Sequence, residues 1–566
     1  MKKILAMLLA MVMVLSLFAA CGNGNTEQPE GTKAPEAQAT EPVNVTPFYL
    51  TLDPNVSGEL DIMVWSGDST YHEDLGNQEW APEDITSQNV AAIYAMAKEF
   101  NKLYPNVKIN LYAKADDPDA NDTPWAQEQE NFKAEHGKYP DIYASDDLIT
   151  DVSKGMVADL SIYADDPMYK SFNPGIMNTM NYYGMQAGLP QFVQPWGIYV
   201  NKELADTNNI DVPDPDWDID EFTDFITSAD NETFWGTIDL AQLMSVIGTG
   251  TNTINAQLAA YDGSGDHVDL ASEEVMSLLD YVPKWAESEI WTLNGAGAID
   301  AAIMDNGWWW SYRFFCVNNL LTCPGDPWMM NTAALPQNED GTWPVNAVES
   351  NDWDIYPRPA TDYKGNTVGL VIDPMAIHNF AMDDGDPTWS DAEKTQMDLA
   401  YAFGSFWCGA TEAMQARADQ KYANNGTLIS CLNDSFPLVT GEEFDKQMDI
   451  WYSVDIHTRY GDADLMPGFQ EVVRLWEEGQ IWDISDKTYP YYVYVDGTET
   501  RCMNEWLTAY DAAVAGVGVT DASWVDTVKA NLADWSDKAN ERFLEARTNL
   551  CEGLKSYYGF TDADFT

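Results

Sequence analysis

The chain has 566 residues, 45% of them hydrophobic, and its 29 basic against 92 acidic residues leave a formal charge of −63. Such a length builds two or three packed domains, and a field of that sign repels phosphate backbones and anionic lipid headgroups, so a nucleic-acid partner is excluded. The charge also argues against polyanionic substrates, although most of it reads as a solvated surface that keeps the protein soluble. The 22 Trp and 28 Tyr are many for a globular chain. Trp offers a broad apolar face with a polar edge, suited to stacking on sugar rings, and core packing accounts for the rest.

Residues 1–20 read as a signal peptide: Lys2 and Lys3 form a positive start, Ile4 to Phe18 an apolar run, and Ala19-Ala20 precede Cys21. Small residues before a cysteine resemble the lipobox of bacterial lipoproteins, with Phe18 where Leu is more usual. Cys21 is then the lipidated residue; the alternative is ordinary secretion with a bystander cysteine. No later stretch reaches the roughly 18 apolar residues of a membrane span. Residues 21–56 are the lipid-anchored Cys and a disordered linker, with Pro29, Pro35, Pro42 and Pro47 among Glu, Thr, Ala and Gln. As a flexible tether they reach roughly 30–35 Å; the alternative is a linker with no spacing role.

The fold begins at Gly58 to Gly67, a strand that runs into a turn. Val90, Ile93, Tyr94, Ala97, Phe100 and Leu103 recur at helical spacing, and Pro105 stops that helix. Val107, Ile109 and Leu111 alternate with Lys108 and Asn110 as a half-buried strand. Strand, helix and strand in that order are the unit of a mostly parallel α/β sheet. Another strand is expected at Pro140 to Ala144, ending in Ser145-Asp146-Asp147. Ligands of open α/β sheets bind beyond the carboxyl ends of the strands, which singles out Trp65, Ser66, Asp146 and Asp147.

Tyr183-Gly184 forms a turn, and a short strand from there is expected to end at Pro190. The prolines at 190 and 195 remove two backbone donors, so Gln191 to Trp196 reads as a bridge rather than a buried strand. A second strand starts at Gly197 and passes into a helix after Asn201. Further on, Asp218 or Asp220 caps a helix in Asp216 to Phe222. Ala301 to Ser311 carries Trp308, Trp309 and Trp310, which cannot all point one way; at least one is core. A Pro-containing segment at Ile355 to Pro359 leads to a Gly-rich strand ending near Asn379. The stretch Leu399 to Phe406 is helical, with Ser430 to Val439 leading to a third crossover. An apolar stripe of Trp524, Val528, Leu532, Trp535, Ala539 and Phe543 marks a C-terminal core helix.

The order of these pieces resembles the extracellular solute-binding proteins, the family that includes maltose-binding protein. Gly188-Leu189-Pro190 followed by Tyr199-Val200-Asn201-Lys202 is similar to its first crossover. Gly155 to Leu160, Pro213 to Phe222, and Ile303-Met304 through Gly307 to Trp310 resemble further family segments. The resemblance implies an α/β fold of two lobes, hinge crossovers and a ligand cleft, with 57–193 and 360–430 as lobe 1 and 194–359 and 431–566 as lobe 2. It implies a lipid-anchored protein on the extracytoplasmic face of the cell membrane, delivering a carbohydrate, an oligosaccharide above all, to the permease subunits of an ABC importer. Such a protein is a monomer and no enzyme, and it uses no cofactor or metal. Trp196, Trp308, Trp309, Trp310 and Trp65 would stack on the sugar, and Ser66, Asp146, Asp147 and Gln194 would bond its hydroxyls. Arg313 would join them or neutralise a nearby carboxylate. Peptides, polyols and charged sugars stay open as ligands.

Two rival classes carry different signatures. A glycoside hydrolase needs two carboxylates flanking the scissile bond, and 92 acidic residues offer pairs by chance alone; an adhesive lipoprotein would lack an aromatic cleft. No Gly-x-Ser-x-Gly, Walker loop or His-Glu-x-x-His occurs, and the five histidines are isolated. Asp117, Asp119, Asn121 and Glu128 have calcium-loop spacing. Asp122 stands where a Gly belongs, so a solvated acidic loop is the better reading. Six cysteines remain beyond Cys21, with Cys316 and Cys323 the nearest pair; six allow 15 pairings, and free thiols compete with all of them.

Overall fold

The computed structural model describes residues 52–65, 70–114, 123–230, 232–237, 268–287, 315, 320–325, 327, 352–383, 389–424, 426–432, 435–483, 487–490, 492–495, 498–515 and 523–565. The strand–helix–strand opening forms as read. Strand β1 (Ser57–Trp65) is buried through its middle, as a strand covered on both faces is. Next come β2 (Thr70–His72), helix α1 (Gln88–Leu103), β3 (Asn106–Lys114), α2 (Trp125–His136), β4 (Ile142–Ala144) and α3 (Leu148–Ser153). Strands β3 and β4 run parallel to β1, whose register with β3 goes from Ser57 opposite Asn106 to Trp65 opposite Lys114. The Ser87 hydroxyl accepts the Val90 N–H at 3.3 Å and starts α1.

The alternation read in β3 breaks at Asn110, which is 1% exposed. Its side-chain amide donates to Glu59 at 2.6 Å and to Asp61 at 2.8 Å. Asp61 also accepts the Tyr71 hydroxyl at 2.6 Å and pairs with Lys138 at 2.7 Å. Desolvation opposes the Asp61 charge, but Lys138, Tyr71 and Asn110 together hold its carboxyl below the usual range. A polar residue is buried here because every neighbour is a partner.

One long strand, β5 (Leu189–Asn201), replaces the expected strand, bridge and second strand. It is followed by α4 (Lys202–Thr207), capped by Asn201, and α5 (Ile219–Thr227). Asp218 caps α5 in a capping box closed by Glu221. Further elements are α6 (Glu273–Leu279), β6 (Thr322–Gly325), β7 (Trp353–Tyr356), β8 (Val368–Ile377), α7 (Asp391–Gly409), α8 (Pro467–Glu477), β9 (Ile481–Asp483) and α9 (Ser523–Tyr558). Among the described residues, Leu189 to Trp196 pair only with β8, while Gly197 to Asn201 pair with β6 and β7. Both prolines thus lie where, among the described residues, no strand pairs with the second edge of β5, a position at which a sheet tolerates proline.

The sheet order is β2-β3-β1-β4-β8-β5-β6, with β7 also on β5 and β9 also on β8. Strand β8 pairs with β4 through Met375 to Ile377 and with β9 through Val368 to Leu370. So β5 and β8, antiparallel and side by side, join the β1–β4 half of the sheet to the β6–β7 part: two lobes with crossovers between them. A third strand enters this bridge at Ile481–Asp483, while the Ser430 to Val439 segment reaches β5 through the Phe436 N–H, which donates to the Val193 carbonyl at 2.9 Å, and also packs against Phe172 and Asn173.

Helix α9 has 36 residues, roughly 54 Å at 1.5 Å per residue. Its first half holds the segment before α6: Asn540 accepts the Val268 N–H at 2.6 Å, and Ser536 accepts that of Leu270 at 2.9 Å. Through Tyr281 and Trp285 that region is bonded to Asp220 and Thr223 of α5. Its second half lies on α3, where a Cβ on Gly553 would come within 2.6 Å of the Ser153 backbone, and Tyr558 donates to the Val157 carbonyl at 2.8 Å. One helix therefore grips elements from both sides of the crossovers. No helix among the described residues is long and apolar enough to cross a membrane. The five described cysteines are buried: Cys408, Cys431, Cys502 and Cys551 are free thiols, and Cys323 lies in β6; burial pushes Cys431 and Cys502 up to about 12 and makes them unreactive. Cys21 and Cys316 lie outside the described residues.

Candidate ligand cleft

Three parallel strands end together. Trp65 closes β1 beside its register partner Lys114, which closes β3. The Lys114 ammonium lies 4.5 Å from the Trp65 ring centre and 5.2 Å from that of Trp125, and the two rings meet edge to face at 4.9 Å. Such a stack orients the indoles and carries a positive charge into an apolar place. The Asn89 amide, in the first turn of α1, donates to the Trp65 carbonyl at 2.8 Å and fixes the end of the strand.

Beyond β4, the two acidic candidates separate in role. Asp147 accepts the Thr150 N–H at 3.1 Å and caps α3. Asp146 is exposed at the strand edge. Desolvation and then the neighbouring Asp147 push the Asp146 carboxyl up, while Lys487 and Lys114 pull it down. Behind them the Ser145 hydroxyl donates to Asp151 at 2.8 Å. Desolvation holds the Asp151 carboxyl up to about 7.

The crossover adds a second group. Gln194 is 2% exposed and Trp196 is half-buried on β5. Trp196 lies opposite Gly369, and a Cβ there would come within 2.9 Å of the Trp196 Cβ and 3.1 Å of the Arg358 guanidinium. Burial alone pushes Arg358 down to about 9. Asp373 of β8 is ion-paired with Lys487, whose own carbonyl accepts the Leu148 N–H at 3.0 Å. Lys487 therefore ties the start of α3 to the crossover and brings Asp146 and Asp373 into one field. Ser66, Trp308, Trp309, Trp310 and Arg313 lie outside the described residues, as do Asp117, Asp119, Asn121 and Asp122 of the acidic loop.

Sequence reasoning missed Lys114, Trp125, Asp373 and Lys487. Lys114 was findable, because parallel strands of equal length end level and the rule that chose Trp65 applies to it. Asp373 and Lys487 are brought together from 114 residues apart, and no local pattern announces that. Among the described residues no three His, Cys, Asp or Glu side chains stand where they could share a metal ion. His457 stacks on Trp451 at 3.7 Å and burial pushes it down to about 3, so it serves the core. The edge offers the half-buried rings of Trp65 and Trp196 and one exposed carboxylate, Asp146, groups that suit contact with a polar, ring-shaped solute.

A search by sequence finds no match among curated proteins. The family model described as bacterial extracellular solute-binding protein matches residues 85–310. Among solved structures, a maltodextrin-binding protein from L. casei BL23 is similar with a TM-score of 0.52 at 12% identity, over 86% of this chain and 100% of that one. A sugar transporter from Rhizobium etli in an open conformation gives 0.50 at 15% identity, over 88% and 100%. At such identities the likeness is one of fold. The resemblance to the extracellular solute-binding proteins carried by the motifs is thereby borne out, in the family match over residues 85–310 and in the two-lobe α/β fold.

Proposed function

We propose that this protein captures a carbohydrate, an oligosaccharide above all, between its lobes and delivers it to the permease of an ABC importer. The observation that carries the reading is the crossover. Strands β5 and β8 link the lobes, and the edge beside them presents Trp65, Asp146 and Trp196, with Gln194 buried on the same strand as Trp196. Trp308, Trp309 and Trp310 would add stacking faces from the second lobe, and Ser66 a hydroxyl from the first. The similar folds bear the names of maltodextrin and sugar carriers, which supports a sugar over a peptide. The lobes are 57–193 with 360–430, and 194–359 with 431–566, the second half of α9 returning to the first lobe. Closure about β5 and β8 would bury the ligand and present both lobes to the permease.

In this reading the chain is a monomeric lipoprotein, held on the outer face of the cell membrane through Cys21 and the linker to residue 56. It breaks no bond and needs no cofactor. Thermal unfolding of residues 57–566 against mono- and oligosaccharides tests it. A sugar at 100 times its Kd adds about 2.7 kcal/mol of stability, and it is to be recovered unchanged. Flat curves across the panel refute the sugar assignment, and turnover of a glycan makes the protein an enzyme.

A further inference from the structure

Gln191 is 1% exposed, and neither its amide oxygen nor its amide nitrogen has a hydrogen-bond partner among the described residues. A buried amide left this way costs the fold its desolvation, so its surroundings need explaining. Across the β5–β8 pair, Gln194 faces Val371 and Gln191 faces Asp373, with a register shift between them. Two residues of β5, Phe192 and Val193, thus stand against one of β8, a β-bulge. Phe192 takes φ 47, a left-handed value that costs any residue with a Cβ. Its ring is anchored against Trp407 of α7 at 5.5 Å.

The bulge has a geometric result. Directly opposed residues share a face of the sheet, and Val371 and Asp373, two apart, share one. Gln191 and Gln194, three apart, would alternate in a regular strand; here they lie on the same face. That face carries Trp196, Asp373 with its Lys487 partner, and Val371. Val371 and Asp373 are also the only partly open positions of β8. Two residue pairs further along, on the same face, Leu189 and Met375 are covered by Gly404 of α7. Gln191 is therefore a buried position on the face that runs from the pair under α7 to the partly open Val371 and Asp373.

We propose that Gln191 is a ligand-binding residue of the cleft, and that the bulge at Phe192 exists to turn it onto the ligand face. The chemistry narrows the partner. The amide offers one unmet acceptor and an unmet donor side by side, the complement of a hydroxyl group, which both donates and accepts. A carboxylate or phosphate would answer only the nitrogen, and an ammonium only the oxygen. The Asp373–Lys487 pair beside it is already neutral as a unit. The site therefore favours a neutral polyhydroxylated ring over an acidic or amino sugar. This rests on the carbohydrate reading above and deepens it.

The test compares wild type with Gln191→Met, a near-isostere without donor or acceptor, by calorimetric titration with maltotriose, glucuronate and glucosamine and by thermal unfolding. Wild type is expected to bind the neutral sugar. Gln191→Met is expected to unfold at a higher temperature without ligand, because the unmet amide is gone, and to bind about 10-fold more weakly. Equal affinity in wild type and variant overturns the inference and leaves the carbohydrate reading standing, with Gln191 a buried defect only. Tighter binding of glucuronate or glucosamine than of maltotriose overturns the neutral-ligand part. A wild type silent to all three overturns the carbohydrate reading itself and the inference with it.

Discussion

Gly197 is the residue at which β5 leaves β8 and joins the second lobe, and the structure sets what a methyl group there would cost. A Cβ would sit 2.4 Å from the Tyr356 carbonyl oxygen and 2.7 Å from the Ile355 Cγ2. Ordinary contact begins near 3.4 Å, so β7 would have to retreat by about 1 Å. Its carbonyl is backbone in a paired strand and has no rotamer to yield. Overpacking of this kind costs about 1–3 kcal/mol, and a rigid obstacle puts Gly197→Ala at the upper end. At about 2.1 cal/mol/K per residue over a body of roughly 500 residues, about 3 kcal/mol lowers the melting temperature by about 3 °C. Gly365→Ala is the control: nothing lies within 4 Å of its Cβ position, and it should melt within about 0.5 °C of wild type. Differential scanning calorimetry of both variants decides. Equal melting temperatures would refute the close approach of β5 to β7 and with it the crossover geometry.

Other expectations follow from single side chains. Asp147→Ala should lose about 1 kcal/mol of stability with its cap on α3, whereas Asp146→Ala should leave the urea midpoint unchanged and weaken sugar binding in titration calorimetry. Trp65→Ala should reduce affinity about 10-fold through loss of one stacking face, and the tryptophan emission of wild type should respond to sugar more than that of the variant. Ser390→Ala removes the capping box of α7 and should cost about 1 kcal/mol in urea unfolding. Desolvation raises Asp354 to about 6 and Asp151 to about 7. A raised carboxyl means that the folded form holds protons the unfolded chain has released. The stability this gives is complete below about pH 4 and is lost as the pH rises through 6 and 7. The urea midpoint of Asp354→Asn should fall less than that of wild type between pH 5 and 7.5.

Much of the chain up to α5 was legible because its signals are local. The apolar spacing of α1, the turn at Gly184 and the Asp218 cap each act within one turn or strand. The same locality explains what was hidden. Pro190 and Pro195 argue for a broken strand only if both edges of β5 are paired, and that depends on β8, some 175 residues away. Asn110 reads as the outward position of an alternating strand until Glu59 and Asp61 come alongside. Gln191 falls in the stretch read as a bridge, and nothing local announces the left-handed Phe192 that puts it on the face of Gln194. The last of these matters most for function, since a bulge leaves no mark in composition or periodicity.

The central claim is that a sugar is held between lobes that close about β5 and β8. Small-angle X-ray scattering of residues 57–566, with and without the oligosaccharide that gives the largest thermal shift, tests it most directly. Closure predicts a smaller radius of gyration in the saturated protein and a return to the starting value when the sugar is dialysed away. A saturated protein whose scattering curve superimposes on that of the free protein would contradict capture by closure.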